Sequence, residues 1–127
     1  MDDLIEVCAG KRYKIAMERH VAKQFKKADI KEQARCLKWM KFFADDGFDF
    51  LDNEKLKSEG RFATGNKAGT RVTVWAFKAW QLRVYGGLVG DIFVATGIDT
   101  SKKQNAADRS ALESAARRLD DYAQGRK

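Results

Sequence analysis

The sequence predicts an α+β domain in which helices flank a group of strands, and three observations predict it. Arg71–Phe77 and Trp80–Tyr85 each alternate with the period of two that a strand requires, and the apolar run Ile92–Ile98 follows them. Residues 30–44 repeat apolar side chains at helical spacing behind Asp29, a residue suited to cap a helix. An alanine-rich stretch carrying Leu112, Ala115, Leu119 and Tyr122 on one stripe comes last, before Gly125. Strands grouped between helices, without a repeating strand–helix alternation, indicate this class.

Taken in order, Leu4–Met17 has β character in Ile5, Val7, Tyr13 and Ile15, interrupted at Gly10, and Arg12–Met17 is the favoured strand. Glu18–Ala28 places Val21, Ala22 and Phe25 at helical spacing among lysines, a short amphipathic helix. In the next helix Asp29 caps Lys31 and Glu32, and Ile30, Ala34, Leu37, Met40 and Ala44 form the apolar face. Gly47 ends that helix in a left-handed turn. Phe48–Gly69 shows no sustained period and reads as a long irregular connection. In the strands that follow, Val72, Val74 and Ala76 share one face, and Arg83 shares a face with Gln81 and Tyr85. Ile92–Ile98 fits a strand covered on both sides. Asn105 is placed to cap the final helix.

At 127 residues, without proline, repeats or low-complexity tracts, residues 1–127 read as one domain. A net charge of +7 points to an anionic partner. The charge is also localised: Gly60–Gly90 carries Arg61, Lys67, Arg71, Lys78 and Arg83 among Phe62, Trp75, Phe77, Trp80 and Tyr85, with no acid. Asp45, Asp46, Asp49, Asp52, Glu54 and Glu59 lie just upstream. Cations interleaved with aromatic rings suit a nucleic-acid surface, where the cations meet phosphates and the rings can stack on bases.

Cys8 and Cys36 lack CxxC spacing, and with one histidine they cannot supply the usual four zinc ligands. No apolar stretch reaches the roughly eighteen residues that span a bilayer, so the expected compartment is the cytoplasm, with reduced thiols. Gly60–Lys67 resembles a phosphate loop only superficially, because Asn66 displaces the lysine and a strand, not a helix, comes next. Asp45–Asp52 fails as a calcium loop: with Gly47 at the turn, Phe42 and Ala44 occupy ligand positions and Asn53 stands where a bidentate glutamate belongs. His20 reads as a surface or half-buried histidine. The tryptophans Trp39, Trp75 and Trp80 read first as packing residues, with base stacking as the alternative.

The run Val74-Trp-Ala-Phe-Lys-Ala-Trp-Gln-Leu-Arg83-Val-Tyr-Gly, the strand Ile92-Phe-Val-Ala-Thr-Gly-Ile, then Asp99-Thr-Ser-Lys102-Lys103-Gln and the helix ending Arg117-Arg-Leu together resemble the RelE/ParE toxin superfamily, in particular its phage-derived HigB-like group. Trp80–Arg83 and Lys102-Lys103 are the specific motifs; the N-terminal third matches by pattern. The resemblance implies a RelE-like fold: a small twisted antiparallel sheet with two N-terminal helices packed on it and a C-terminal helix. It also implies a toxin of a toxin–antitoxin pair, an endoribonuclease acting on mRNA, commonly at the ribosome, and restrained by a cognate antitoxin. No metal or small-molecule cofactor is expected.

By this resemblance Arg83, Asp99, Lys102 and Lys103 form the catalytic set; the basic-aromatic run itself offers Arg61, Lys67, Arg71, Lys78 and Tyr85 to bind RNA. Metal-free RNA cleavage uses the substrate's 2′-hydroxyl as nucleophile, so fixed cations must stabilise charge on phosphorus, and Arg83 can hold two phosphate oxygens at once. Several members place a histidine or tyrosine at or after the last strand. Asp99–Ala107 has neither, which leaves Asp99, Tyr85 or an activated lysine as the general base. Two other functions compete: ParE-like inhibition of DNA gyrase and RNA binding without cleavage.

Overall fold

The structure, a computed structural model, describes residues 4–100 and 109–125. Among them, six strands make one sheet in the order β1-β2-β6-β5-β4-β3. The elements run β1 (Leu4–Ala9), β2 (Lys14–Glu18), α1 (Arg19–Phe25), α2 (Ile30–Asp46), a 3-10 turn (Gly47–Phe50), β3 (Leu56–Ala63), β4 (Arg71–Ala79), β5 (Leu82–Val89), β6 (Ile92–Asp99) and α3 (Arg109–Ala123). The α+β class, the two N-terminal helices and the C-terminal helix are as expected. The sheet is mixed, however, because β2 runs parallel to β6 while the other neighbours are antiparallel.

Two strands were not expected, and both are edge strands. The region read as irregular, Phe48–Gly69, contains β3, whose alternation is broken by a bulge between Ser58 and Gly60. The stretch before Gly10 forms β1, which has its own bulge between Glu6 and Cys8. A bulge adds a residue to one strand and reverses the facing of everything beyond it, so a strict period of two cannot find such strands. At the other end of the prediction, Trp80 and Gln81 leave the strand and form the β4–β5 turn.

Helices cover both faces of the sheet. On one face α1 and α2 enclose a core built from Ile15, Met17, Val21, Phe25, Met40 and Phe77, among others. Phe43 is its hub, with ring centroids 4.9 Å from Tyr13, 4.9 Å from Phe48, 5.8 Å from Phe77 and 5.7 Å from Phe93. On the other face α3 sets Leu112, Ala115 and Ala116 against Phe62, Val74, Ala76 and Tyr85. Close approach is built in: a Cβ on Gly86 would lie 2.1 Å from the Val94 carbonyl oxygen.

Asp29 caps α2 as expected, its Oδ1 accepting from the Lys31 and Glu32 backbone N–H groups at 2.9 and 3.1 Å, and Gly47 closes the helix at φ 75°. The buried face differs from the expected one. Met40 and Ala44 point inward with Glu32, Cys36 and Phe43, whereas Ile30 (74% exposed), Ala34 and Leu37 face outward. Both stripes fit a period of 3.6; the aromatic cluster around Phe43 selects between them.

Candidate functional site

Strand register brings three of the predicted residues into one row. Lys78 on β4 pairs with Arg83 on β5, which pairs with Asp99 on β6. Paired residues share a face, so an ammonium, a guanidinium and a carboxylate stand side by side across three strands, at the end of the sheet where the β4–β5 turn lies.

Arg83 is not the free surface cation that its alternation implies. It is buried, and its Nη1 donates to the backbone carbonyls of Trp80 and, at 3.0 Å, Leu82. The guanidinium therefore fastens the turn while still lining the adjacent cleft. Lys78 is tied to the start of β3: its N–H donates to the Lys55 carbonyl at 2.8 Å and its Nζ to the Asn53 carbonyl at 3.3 Å. Burial, then the positive charges of Arg83 and Lys57, hold the Lys78 pKa below the ordinary lysine value, against the opposing pull of Glu59 and Glu54. Such a lysine releases its proton more readily than a solvated one.

The cleft beside this row has a volume of about 300 Å³; the cations Arg35, Lys55, Lys78 and Arg83 line it with Trp39 and Trp80, and Glu54 adds one carboxylate. A second cleft of about 490 Å³ continues along the outer face of α2, where Lys31 and Lys38 join Arg35, and Trp39 and Trp80 line both. The Arg35 guanidinium lies 4.1 Å from the Trp80 ring centroid, and the Lys55 ammonium 5.2 Å from that of Trp39. Lys55 also pairs with Asp52 at 2.8 Å, and that hydrogen bond holds the Asp52 carboxyl below its ordinary pKa.

Trp80 stands apart in its backbone. It is the single non-glycine residue with positive φ among the described residues, at 55°, and it is 54% exposed. A bulky side chain in that region is uncommon and costs on the order of 1–3 kcal/mol, which surrounding contacts must offset. Arg83 supplies one such contact through the Trp80 carbonyl, and Glu32 of α2 supplies another by accepting the Gln81 N–H at 3.2 Å.

The remaining predicted residues do not join this site. Tyr85, expected to contact RNA, is 1% exposed and packs in the core beneath α3, so it serves neither as a stacking surface nor as an accessible base. Arg61, Lys67 and Arg71 are exposed at the β3–β4 end of the sheet. Arg71 and Lys78 are seven residues apart on β4, about 23 Å at the usual strand rise, and an odd separation puts them on opposite faces. The single basic strand face is thus divided into two patches. Lys102 and Lys103 lie outside the described residues, as does Asn105.

Sequence reasoning missed the contribution of α2. Lys31, Arg35 and Lys38 recur at i, i+4 and i+7, with Trp39 and Phe42 beside them; this is a basic-aromatic helical stripe that was legible but was eclipsed by the Gly60–Gly90 run. His20 is half-exposed, 2.6 Å from Arg118 Nη1 through its Nε2 and 3.6 Å from Glu18. Among the described residues no three of His, Cys, Asp and Glu gather as potential metal ligands, and no helix is long and apolar enough to cross a membrane. Comparison of the chain with protein-family models, with curated proteins and with solved structures gives no significant match.

Proposed function

We propose that the chain engages single-stranded RNA at the β4–β5 end of its sheet and cleaves it without a metal ion, as the toxin of a toxin–antitoxin pair restrained by a cognate antitoxin. The observation that carries this reading is the Lys78–Arg83–Asp99 row, two members of which, Lys78 and Arg83, line a cleft that is rich in cations and tryptophans and holds one acid, Glu54. The order β2, α1, α2, β4, β5, β6, α3 supports this reading, although the edge strands β1 and β3 and the parallel β2–β6 pairing are not among its implications.

In the proposed reaction the substrate's 2′-oxygen attacks the adjacent phosphorus while the bond from phosphorus to the 5′-oxygen breaks, leaving a 2′,3′-cyclic phosphate and a 5′-hydroxyl. The Asp99 carboxylate is the candidate to take the 2′-hydroxyl proton, and Lys78, whose ammonium is made more acidic by its surroundings, is the candidate to protonate the leaving oxygen. Arg83 neutralises the charge that develops on the phosphoryl oxygens. One observation favours a second reading, RNA binding without cleavage: donors of Arg83 are engaged by backbone carbonyls.

Inducing the chain in a bacterium, with primer extension on reporter transcripts, tests the proposal. Growth arrest with new transcript ends supports it, and a deoxyribose at the cut site should block cleavage because the nucleophile is then missing. Arrest with intact transcripts and gyrase-linked DNA breaks would instead assign the chain to gyrase inhibition.

A further inference from the structure

We infer that Trp80 is a preorganised stacking platform for an unpaired nucleobase, so that the site selects single-stranded over duplex RNA. The inference rests on the RNA reading above and adds the group that recognises the substrate. Three observations meet at this residue. Trp80 is held at φ 55°, a conformation in which glycine would be less strained, and yet it displays more than half its surface to solvent. Its turn is clamped from two sides, by the Arg83 guanidinium on the Trp80 carbonyl and by the Glu32 carboxylate on the Gln81 N–H. Its ring borders both clefts, with Arg35 stacked 4.1 Å from its centroid.

A side chain held in strain and left exposed does not serve the core. The ring is aimed at something that binds, and its surroundings specify what. Lys31, Arg35 and Lys38 of α2 and Lys78 of β4 line the same clefts as this ring, outnumbering the one acid, Glu54, so phosphates have cations to meet there, and an indole offers any base a π-face. Both clefts are large enough for a small planar ligand. A duplex keeps its bases stacked inward and cannot present one to the ring, which is the basis of the selectivity.

Trp80→Gly tests the idea with its own folding control, because glycine accepts φ 55° more readily than tryptophan does. Melting of this variant should stay within a few degrees of the parent or rise. Its affinity for a short oligouridylate should fall about ten- to a hundredfold, the range for loss of one stacked base. Trp80→Phe should keep affinity within severalfold but show clearly less of the tryptophan quenching that oligouridylate produces, Trp39 of the same clefts accounting for the remainder. Inorganic polyphosphate should compete for binding without quenching, and a matched RNA duplex should bind more weakly than the single strand. Trp80→Gly binding oligouridylate as tightly as the parent, or Trp80→Phe showing undiminished quenching, would overturn the platform and leave the RNA reading standing. A parent protein that binds no RNA would overturn both.

Discussion

The guanidinium of Arg83 lines the cleft and also fixes the turn that displays Trp80, so the proposed phosphate contact and the strained turn share one side chain. Arg83→Ala should therefore lower cleavage by ~10²–10³, as loss of a transition-state donor does, and should also destabilise the fold by about 1–3 kcal/mol, because two backbone carbonyls lose a charged donor. Cleavage rates and thermal melts on the same preparation check both effects; unchanged cleavage by a folded variant would remove Arg83 from the mechanism. His20 has a different consequence. Its burial, then the charge of Arg118, hold its pKa below the ordinary value of 6.5, with Glu18 opposing. The unfolded chain thus binds the proton more readily, so the stability this residue contributes is present above 6.5 and is lost as pH falls below it. Thermal melts between pH 7.5 and 5 should show that loss, and His20→Gln should reduce it. Burial raises the Cys36 thiol pKa far above the usual range, which should leave the thiol inert to alkylation in the native protein.

α2 carries two stripes with different duties. Its inner stripe, with Phe43 at the centre, meets the sheet; its outer stripe supplies Lys31, Arg35 and Lys38 to the clefts. The Asp29 cap holds the first turn of this helix, the turn from which Glu32 reaches Gln81. Asp29→Ala should cost about 1 kcal/mol in a denaturation experiment. β5 is constrained more severely. Gly86 lies at the bulge opposite β6, where a Cβ would meet backbone at 2.1 Å, so relief requires the strands to separate. Gly86→Ala should destabilise at or above the upper end of the ~1–3 kcal/mol typical of overpacking, and a melting curve superimposable on the parent's would contradict this packing.

For the molecule as a whole, the two basic patches stand about 23 Å apart along β4, well beyond the ~8 Å screening length at physiological ionic strength. They therefore act on a ligand as separate fields. RNA affinity should fall steeply with salt, by roughly 0.7 in log–log slope for each phosphate contacted. Neutralising Lys31 and Lys38 together should flatten that slope by up to ~1.4 if both contact phosphate, whereas neutralising Lys67 and Arg71 should change it much less. Equal effects from the two pairs would indicate a ligand that spans the whole sheet.

The α+β class, both N-terminal helices, the Asp29 cap, the Gly47 stop and β6 as a doubly covered strand were legible in the sequence, because periodicity, capping and left-handed turns are local properties of the chain. The Lys78–Arg83–Asp99 row was half legible: its members could be chosen by charge and resemblance, but their adjacency depends on how β4, β5 and β6 register. Only the tertiary structure decided which stripe of α2 is buried, since Ile30–Leu37 and Cys36–Phe43 satisfy the same period and the aromatic partners around Phe43 come from distant strands. It likewise decided that Tyr85 is covered and Trp80 displayed. Both lie in one short aromatic run, but α3 closes over the sheet face at Tyr85, whereas Trp80 falls in the turn beyond the strands, where Arg35 of a separate helix lies over its ring and Lys31 and Lys38 line the same cleft.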